Sequence, residues 1–128
     1  MIAGLGTDLV DVARFRRVSD RFGDHFLESL FSPAEIDWCR RRRRPWEHLA
    51  ARFAAREAVL KALGTGLVGG MSWRDVEVVP GPGPGTWGLA LRRQVREAAD
   101  ARGVRAVHVA LGVGREVAVA TVVLEGDL

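Results

Sequence analysis

The hydrophobic pattern predicts an opening strand followed by a run of helices. Residues 1–10, MIAGLGTDLV, are mostly apolar and include β-branched residues, which favours a strand. In the next segment, VARFRRVSDRF, four apolar residues recur at helical spacing: Val12, Phe15, Val18 and Phe22. We expect Asp11 to cap this helix and the four residues to form its apolar stripe.

Two further helices have clear start signals. Ser32, Pro33 and Glu35 form an N-cap, a first-turn proline and a capping-box acid, and predict a helix that runs into CRRRRR. Pro45 begins the longest helical segment, PWEHLAARFAAREAVLKAL, which is rich in alanine. Gly64 follows at the place where a left-handed residue usually ends a helix, and the glycine-rich loop GTGLVGG comes next.

The second half of the chain alternates between strand and helix patterns. WRDVEVV and TWGLAL read as strands around the turn PGPGPG, and LRRQVREAADARG reads as an amphipathic helix that ends at Gly103. The run VHVALGVGREVAVATVVL predicts a closing hairpin. Segregated helices and hairpins predict an α+β fold with a mostly antiparallel sheet, in one domain over residues 1–128.

Composition restricts the class of protein only loosely. The 128 residues are 48% hydrophobic, which is enough for a real core, and Cys39 is the one cysteine, so neither a disulfide framework nor a cysteine metal cluster is expected. A reducing cytoplasm fits this usage. No apolar run reaches membrane-spanning length, and the first residues lack the basic start of a signal peptide. The net charge of +3 permits an anionic cofactor, an acidic protein or nucleic acid.

Asp8 is the first candidate for chemistry. In a strand it shares a face with Gly4 and Gly6, which leave an uncrowded surface for a ligand or a second backbone. The alternative is that Gly-Thr-Asp is only a turn at the end of a strand, held by an Asx hydrogen bond. The spacing leaves both interpretations open.

The long helix carries a second candidate. Ala50, Ala54, Glu57 and Lys61 lie on one stripe, beside an apolar stripe that forms the core face. Glu57 and Lys61 are either a plain surface ion pair at i,i+4 spacing or a metal ligand next to a phosphate-binding ammonium. A carboxylate with one other acid and several waters suits Mg²⁺, which also binds substrate phosphates.

Arginine clusters and histidines carry weaker signals. The run of five arginines at 40–44 is typical of a solvated helix end, and it lacks the aromatic interleaving of a nucleic-acid site. Arg14, Arg17 and Arg21 share one side of the first helix and are either simply solvated or dock an acidic partner helix. The three histidines, at 25, 48 and 108, lack metal-ligand spacing.

Taken together, the motifs resemble a known family. The segments GLGTDLVDVARF, FSPAEI, RFAAREAVLKALGTG, WRDVEVV and the final hairpin occur in the order and spacing of the holo-acyl carrier protein synthases, the small 4′-phosphopantetheinyl transferases. The resemblance covers almost the whole chain. It implies an α+β protomer with a long central helix, a homotrimer with sites between subunits, and transfer of 4′-phosphopantetheine from coenzyme A to a serine of apo acyl carrier protein.

The resemblance also implies roles for individual residues. Asp8 and Glu57 match the family's Mg²⁺ ligands. Lys61 matches the lysine at the transferred phosphate, so Lys61 and Glu57 are the expected catalytic residues. Lys61, Gly64 and His108 are expected to bind coenzyme A. On the first helix, Arg14 and Arg21 match the basic surface that meets the acyl carrier protein.

The final hairpin departs from the family pattern H-x-S-x-S-H-[TD]. His108 is in place, but small or apolar residues replace the rest: Ala110, Gly112, Val113, Gly114 and, at a later tyrosine position, Val117. Arg56 stands where a lysine is common. The chain is therefore either a working transferase with an altered nucleotide pocket or a repurposed relative. The repurposed relative would not use coenzyme A and would act as a cyclase, dehydratase or isomerase on a biosynthetic intermediate. A third alternative is a non-catalytic partner.

Overall fold

The strands and helices follow one another in an α+β order in the computed structural model, which describes residues 1–127. The five strands are β1 (Ile2–Asp11), β2 (Val76–Pro80), β3 (Trp87–Leu91), β4 (Val104–Gly112) and β5 (Val117–Gly126). The five helices are α1 (Val12–Phe22), α2 (Asp24–Leu30), α3 (Pro33–Arg40), α4 (Pro45–Leu63) and α5 (Arg93–Ala101). The predicted α+β class is confirmed.

Local signals in the sequence form the expected caps. The Asp11 carboxylate accepts a hydrogen bond from the Arg14 N–H at 2.8 Å and starts α1. Ser32 and Glu35 form a complete capping box at the start of α3. Gly64 ends α4 with a φ of 74°, a left-handed conformation that glycine adopts without strain.

Three details differ from the sequence-based expectations. Phe22 does not join the apolar stripe of α1 but is 60% exposed, because the chain turns at Gly23 and α2 packs on the core instead. Helix α2 itself was not predicted, since its seven residues are too few for a periodic pattern. Residues 73–75 form a short 3₁₀ turn, so β2 begins only at Val76.

The strands form two antiparallel sheets. The larger has the order β1-β5-β4, so the last strand lies between the first and the fourth, and β2 pairs with β3 in a separate hairpin. In the larger sheet Asp8 pairs with Ala120, and Ala120 with Leu111 on the other side. The inward side chains of β5 are Ala118, Ala120, Val122 and Leu124, all fully buried.

Helix α4 crosses the inner face of this sheet at close range. A Cβ on Gly6 would collide with the main-chain oxygen of Ala58, and one on Gly4 with that of Ala62. The two glycines therefore allow β1 to lie almost against the helix backbone. This contact fixes the distance between Asp8, two residues further along β1, and the side chains of α4.

The outer face of the sheet is open and apolar. Ile2, Leu5 and Leu9 on β1 are about two-thirds exposed, and Val117 on β5 is nearly half exposed. Such a surface marks an interaction site more often than a solvated one. Within residues 1–127, no helix is both long and apolar enough to cross a membrane.

Candidate functional site

Strand β1 and helix α4 bring Asp8 and Lys61 into direct contact. The Lys61 ammonium donates to the Asp8 carboxylate at 2.7 Å and to the Thr7 carbonyl oxygen at 3.1 Å. Lys61 is half exposed, whereas the Asp8 side chain is mostly buried. The hydrogen bond to Asp8 raises the pKa of Lys61, with smaller contributions from the charges of Asp8 and Glu57, so the ammonium stays protonated at neutral pH.

Glu57 lies one turn before Lys61 on the same helix, but among the described residues no cation lies within 4.0 Å of its carboxylate. Within residues 1–127, the only acidic partner within 4.0 Å of the Lys61 ammonium is Asp8. The interpretation of Glu57 and Lys61 as a plain surface ion pair is therefore wrong. Partial burial raises the pKa of Glu57, and the nearby Asp8 carboxylate raises it further against an opposing effect of Lys61. Two carboxylates thus share a region with one ammonium.

This donor set fits a magnesium ion better than a transition metal. Mg²⁺ usually takes one or two protein carboxylates and completes its octahedron with waters and substrate phosphates. Asp8 on β1 and Glu57 on α4 supply two hard oxygen donors from separate elements. The described residues contain no cluster of three or more His, Cys, Asp or Glu side chains that would hold a metal by protein ligands alone.

The end of α4 is held near the same edge of β1. The Arg102 guanidinium donates to the carbonyl oxygens of Ala62 at 3.2 Å and Leu63, and also to the Ala3 oxygen at 2.6 Å. It therefore satisfies carbonyl groups that the helix end leaves free and ties them to β1. Gly64, whose N–H donates to the main-chain oxygen of Lys61 at 3.1 Å, begins the glycine-rich loop directly after α4.

His108 lies on the opposite face of the sheet from Asp8. Its register partner on β5 is Val123, which also pairs with the exposed Leu5, while Asp8 belongs to the inward row. The imidazole Nε2 is 3.0 Å from the Glu125 carboxylate, and this hydrogen bond lowers the pKa of Glu125. Within one protomer the structure therefore does not bring His108 together with Asp8, Glu57 and Lys61.

Ala110 and Gly112 share the outer face with His108, whereas Val113 and Gly114 lie in the turn between β4 and β5. Ala110 pairs with Thr121, whose hydroxyl is 3.2 Å from that of Thr7, so two hydroxyl groups remain next to the missing serine. At Gly112 an added Cβ would overlap the Val119 side chain, and at Gly114 it would lie 2.8 Å from the Val117 carbonyl oxygen. The Val119 side chain and the Val117 carbonyl oxygen therefore occupy the space that side chains at positions 112 and 114 would need.

The basic residues of α1 point to solvent. Arg14, Arg17 and Arg21 are exposed, and within residues 1–127 no carboxylate lies within 4.0 Å of their guanidinium groups; the α1 pair is Arg16 with Asp20. A second basic surface, which was not predicted, lies near the start of α4. This cleft of about 370 Å³ is lined in part by four arginines and an indole: Arg16, Arg43, Arg44, Arg115 and Trp46. The run of five arginines was its only signal.

The burial of two arginines of α4 was not predicted from the sequence either. Arg56 makes a bidentate ion pair with Glu35 at 2.5 and 2.9 Å, and both side chains are almost completely buried. Arg56 thus anchors α3 to α4. Arg52, one turn earlier, is 2% exposed and lies against two indole rings. In the sequence, both arginines resemble members of a solvated helix face.

Comparison with known proteins assigns the class. A family model described as the 4′-phosphopantetheinyl transferase superfamily matches residues 4–121, and the chain belongs to this superfamily. More particularly, it is 48% identical over 126 residues to the holo-[acyl-carrier-protein] synthase of Desulforudis audaxviator, covering 98% of this chain and 95% of that protein. The crystal structure of the Neisseria meningitidis holo-[acyl-carrier-protein] synthase has a TM-score of 0.86 at 30% identity and covers 98% and 99% of the two chains. The Bacillus anthracis synthase, solved in complex with CoA (3′,5′-ADP), has a TM-score of 0.78 at 31% identity and covers 99% of both chains.

Proposed function

We propose that this protein transfers 4′-phosphopantetheine from coenzyme A to a serine hydroxyl of an apo acyl carrier protein, with Mg²⁺ as the metal. The observation that carries the proposal is the arrangement of Asp8, Glu57 and Lys61 at the contact of β1 and α4. The name of the 48% identical relative supports the carrier protein as acceptor, and the coenzyme A complex of the 31% identical synthase supports the donor.

The chemistry is a displacement at phosphorus. The serine oxygen bonds to the β-phosphorus of coenzyme A, the bond to 3′,5′-ADP breaks, and solvent takes up the serine proton. Such a reaction needs negative charge neutralised on the transferred and leaving oxygens. Asp8 and Glu57 would hold the Mg²⁺, which supplies Lewis-acid stabilisation of the pyrophosphate. Lys61 is half exposed and can move from Asp8 to a phosphate oxygen, where its ammonium stabilises the leaving group.

The site is completed by a neighbouring subunit in this proposal. His108 and the altered hairpin lie on the outer, apolar face of the sheet, away from Asp8. If that face is the contact of a homotrimer, a protomer's outer surface lies beside a neighbour's metal site. Gly64 and His108 then contact coenzyme A from separate chains. Burying Leu5 and Leu9 in the contact would also remove their exposed apolar area from water.

Docking of the carrier is assigned to the basic side of α1. Arg14 and Arg21 are exposed and lack intramolecular acidic partners among the described residues, so they are available to an acidic helix. Complementary charge mainly raises the association rate and selects the partner. Replacement of Arg14 and Arg21 by glutamine should raise KM for the carrier protein more than it lowers kcat.

The direct experiment measures the mass of the acceptor. The protein is incubated with Mg²⁺, coenzyme A and several apo acyl carrier proteins, and a gain of one phosphopantetheine group is expected on at least one of them. Asp8→Asn should lower kcat/KM by about 100-fold or more, because the metal and Lys61 both lose their anionic partner. Asp100→Asn removes an exposed carboxylate from a 3.0 Å ion pair elsewhere and should leave the rate unchanged. No transfer to any carrier, together with no calorimetric binding of coenzyme A, would disprove the proposal.

Lys61 allows a second, independent test because it is the only lysine in the sequence. An amine-specific reagent therefore modifies only Lys61 and the N-terminal amine. Coenzyme A with Mg²⁺ should protect Lys61 from the reagent and leave the N-terminus reactive. Equal labelling of Lys61 with and without coenzyme A would contradict its placement at the phosphate.

The repurposed alternative keeps one specific observation in its favour. The hairpin lacks the side chains expected at Ala110, Gly112 and Val113, and the Val119 side chain fills the space at Gly112. Replacement of Gly112 by serine and Val113 by histidine, combined with Val119→Ala, tests whether these losses limit activity. A faster triple variant supports a weakened transferase. A triple variant that folds and remains inactive, alongside an inactive parent, favours a reaction without coenzyme A.

A further inference from the structure

Arg52 is a buried cation without a carboxylate partner. Its side chain is 2% exposed, and within residues 1–127 no acid lies within 4.0 Å and its Nε has no hydrogen-bond acceptor. Buried charges in proteins are normally paired with an opposite charge and fully hydrogen-bonded. Burial lowers the pKa of Arg52, but an arginine remains protonated in proteins.

The nearest carboxylates are already engaged by other donors. Glu35 accepts four hydrogen bonds, two from Arg56 and one each from the main-chain N–H groups of Ser32 and Val78. A carboxylate has about four acceptor sites, so Glu35 has no free one for Arg52. Glu77 is held by the Ser32 hydroxyl at 2.7 Å and by Arg92 at 2.8 Å.

Two indole rings partly compensate the charge. The Arg52 guanidinium carbon is 4.3 Å from the ring centre of Trp38 and 4.5 Å from that of Trp87, and the two rings meet edge to face at 4.9 Å. Cation–π contacts stabilise a desolvated cation through the ring faces, but they do not supply hydrogen-bond acceptors for its N–H groups.

A cavity of about 180 Å³ opens beside this group, between α3, α4 and the β2–β3 hairpin. Arg52, the two indoles, Val79 and Pro80 contribute to its lining. Glu35 and Glu77 also line it, but both are paired with other arginines, so Arg52 is the unpaired charge in a mainly apolar space. The volume corresponds to about six water molecules, enough for a carboxylate with a short alkyl chain. On α4, Arg52 and Glu57 are about 140° apart around the helix axis, so the cavity lies on a different side from the metal site.

We propose that this cavity is a binding site for a small monocarboxylate, whose carboxylate accepts hydrogen bonds from Arg52 while its alkyl chain packs against Trp87, Val79 and Pro80. A single negative charge matches the single uncompensated guanidinium. A phosphate dianion fits less well, because Glu35 and Glu77 lie in the same lining and would repel a second charge. The proposal is independent of the transferase activity.

The test uses sodium butyrate as probe on the full chain, with sodium chloride at equal ionic strength and n-butanol as controls. Butyrate should raise the melting temperature with saturation, and neither control should. Arg52→Gln should weaken butyrate binding by about tenfold or more, the loss expected for a charged hydrogen bond. Arg42→Gln is the matched control, because Arg42 also stacks on Trp38, at 4.2 Å, but is exposed and absent from the cavity lining. It should leave binding unchanged.

A spectroscopic readout keeps the test decisive if Arg52→Gln does not fold. The sequence has four tryptophans, at 38, 46, 73 and 87, and each indole N–H gives one signal in a ¹H–¹⁵N spectrum. Butyrate should shift the signals of Trp38 and Trp87 and leave those of Trp46 and Trp73 in place, with assignments from single Trp→Phe variants. Absence of any shift, equal shifts of all four, or the same effect from chloride would overturn the proposal.

Discussion

Gly6→Ala tests the close contact of β1 with α4 that positions the candidate site. The new methyl carbon would overlap the Ala58 carbonyl oxygen and come within 2.8 Å of the Ala62 nitrogen. Both are backbone atoms of α4, so no side-chain rotation can relieve the overlap. Overpacking of a well-packed core costs about 1–3 kcal/mol, and a rigid backbone obstacle places this variant at about 3 kcal/mol. Against a typical stability of about 5–15 kcal/mol, the variant still folds.

Urea denaturation measures this loss, with Gly88→Ala as the matched control. Gly88 is also a strand glycine, but its added Cβ would lie at an ordinary 3.6 Å from Val79, so this variant should be as stable as the parent or slightly more stable. Folded Gly6→Ala should also lose transferase activity, because β1 must move outward and carries Asp8 away from Lys61. A Gly6→Ala protein with the parent's unfolding free energy would refute the reasoning, as would an equal loss in Gly88→Ala.

Three further predictions concern buried or partly buried groups. Glu35→Gln leaves the Arg56 charge unpaired in the core and should lower the unfolding free energy, measured in urea, by about 3–5 kcal/mol. Asp37→Asn removes an exposed ion pair and should change the unfolding free energy by less than about 1 kcal/mol. The folded-state pKa of Glu57 is raised, so the metal-free protein should gain stability as pH falls through that pKa. At pH values above that pKa, Glu57→Gln should therefore be more stable than the parent. Unfolding in EDTA across pH measures this, and equal unfolding free energies of the two proteins would contradict it. Burial raises the pKa of the Cys39 thiol to about 11, so a thiol reagent at pH 8 should react with it only at the rate of unfolding. Rapid labelling of the native protein would contradict this expectation.

Short-range signals made much of the fold predictable. Asp11, the Ser32–Glu35 capping box, Pro45 and Gly64 each act within one helical turn, and each marks a boundary that the structure confirms. The exposure of Phe22 was not predictable in this way. It depends on where Gly23 redirects the chain and on which face of α2 then covers the core.

The site shows the same division between local and long-range information. The resemblance of the motifs selected Asp8, Glu57 and Lys61, and the structure adds that Lys61 pairs across 53 residues with Asp8 rather than along its own helix with Glu57. Spacing on a helix cannot reveal a competing partner on a distant strand. The burial of Arg52 and Arg56 was hidden for a related reason, because their partners are the indoles of Trp38 and Trp87 and the carboxylate of Glu35, which lie on other elements.

The strand order has a consequence for synthesis of the protein on the ribosome. Strand β5 is the last to be translated, yet it lies in the middle of the larger sheet and pairs with β1 across more than 100 residues. While β5 is still in the exit tunnel, β1 and β4 have no common neighbour and α4 has no complete sheet to cover. The alanine-rich face of α4 therefore stays open to association with other chains until β5 has left the tunnel. We expect the larger sheet, which packs against the candidate site, to form only then, in a late step that joins the first strand to the last.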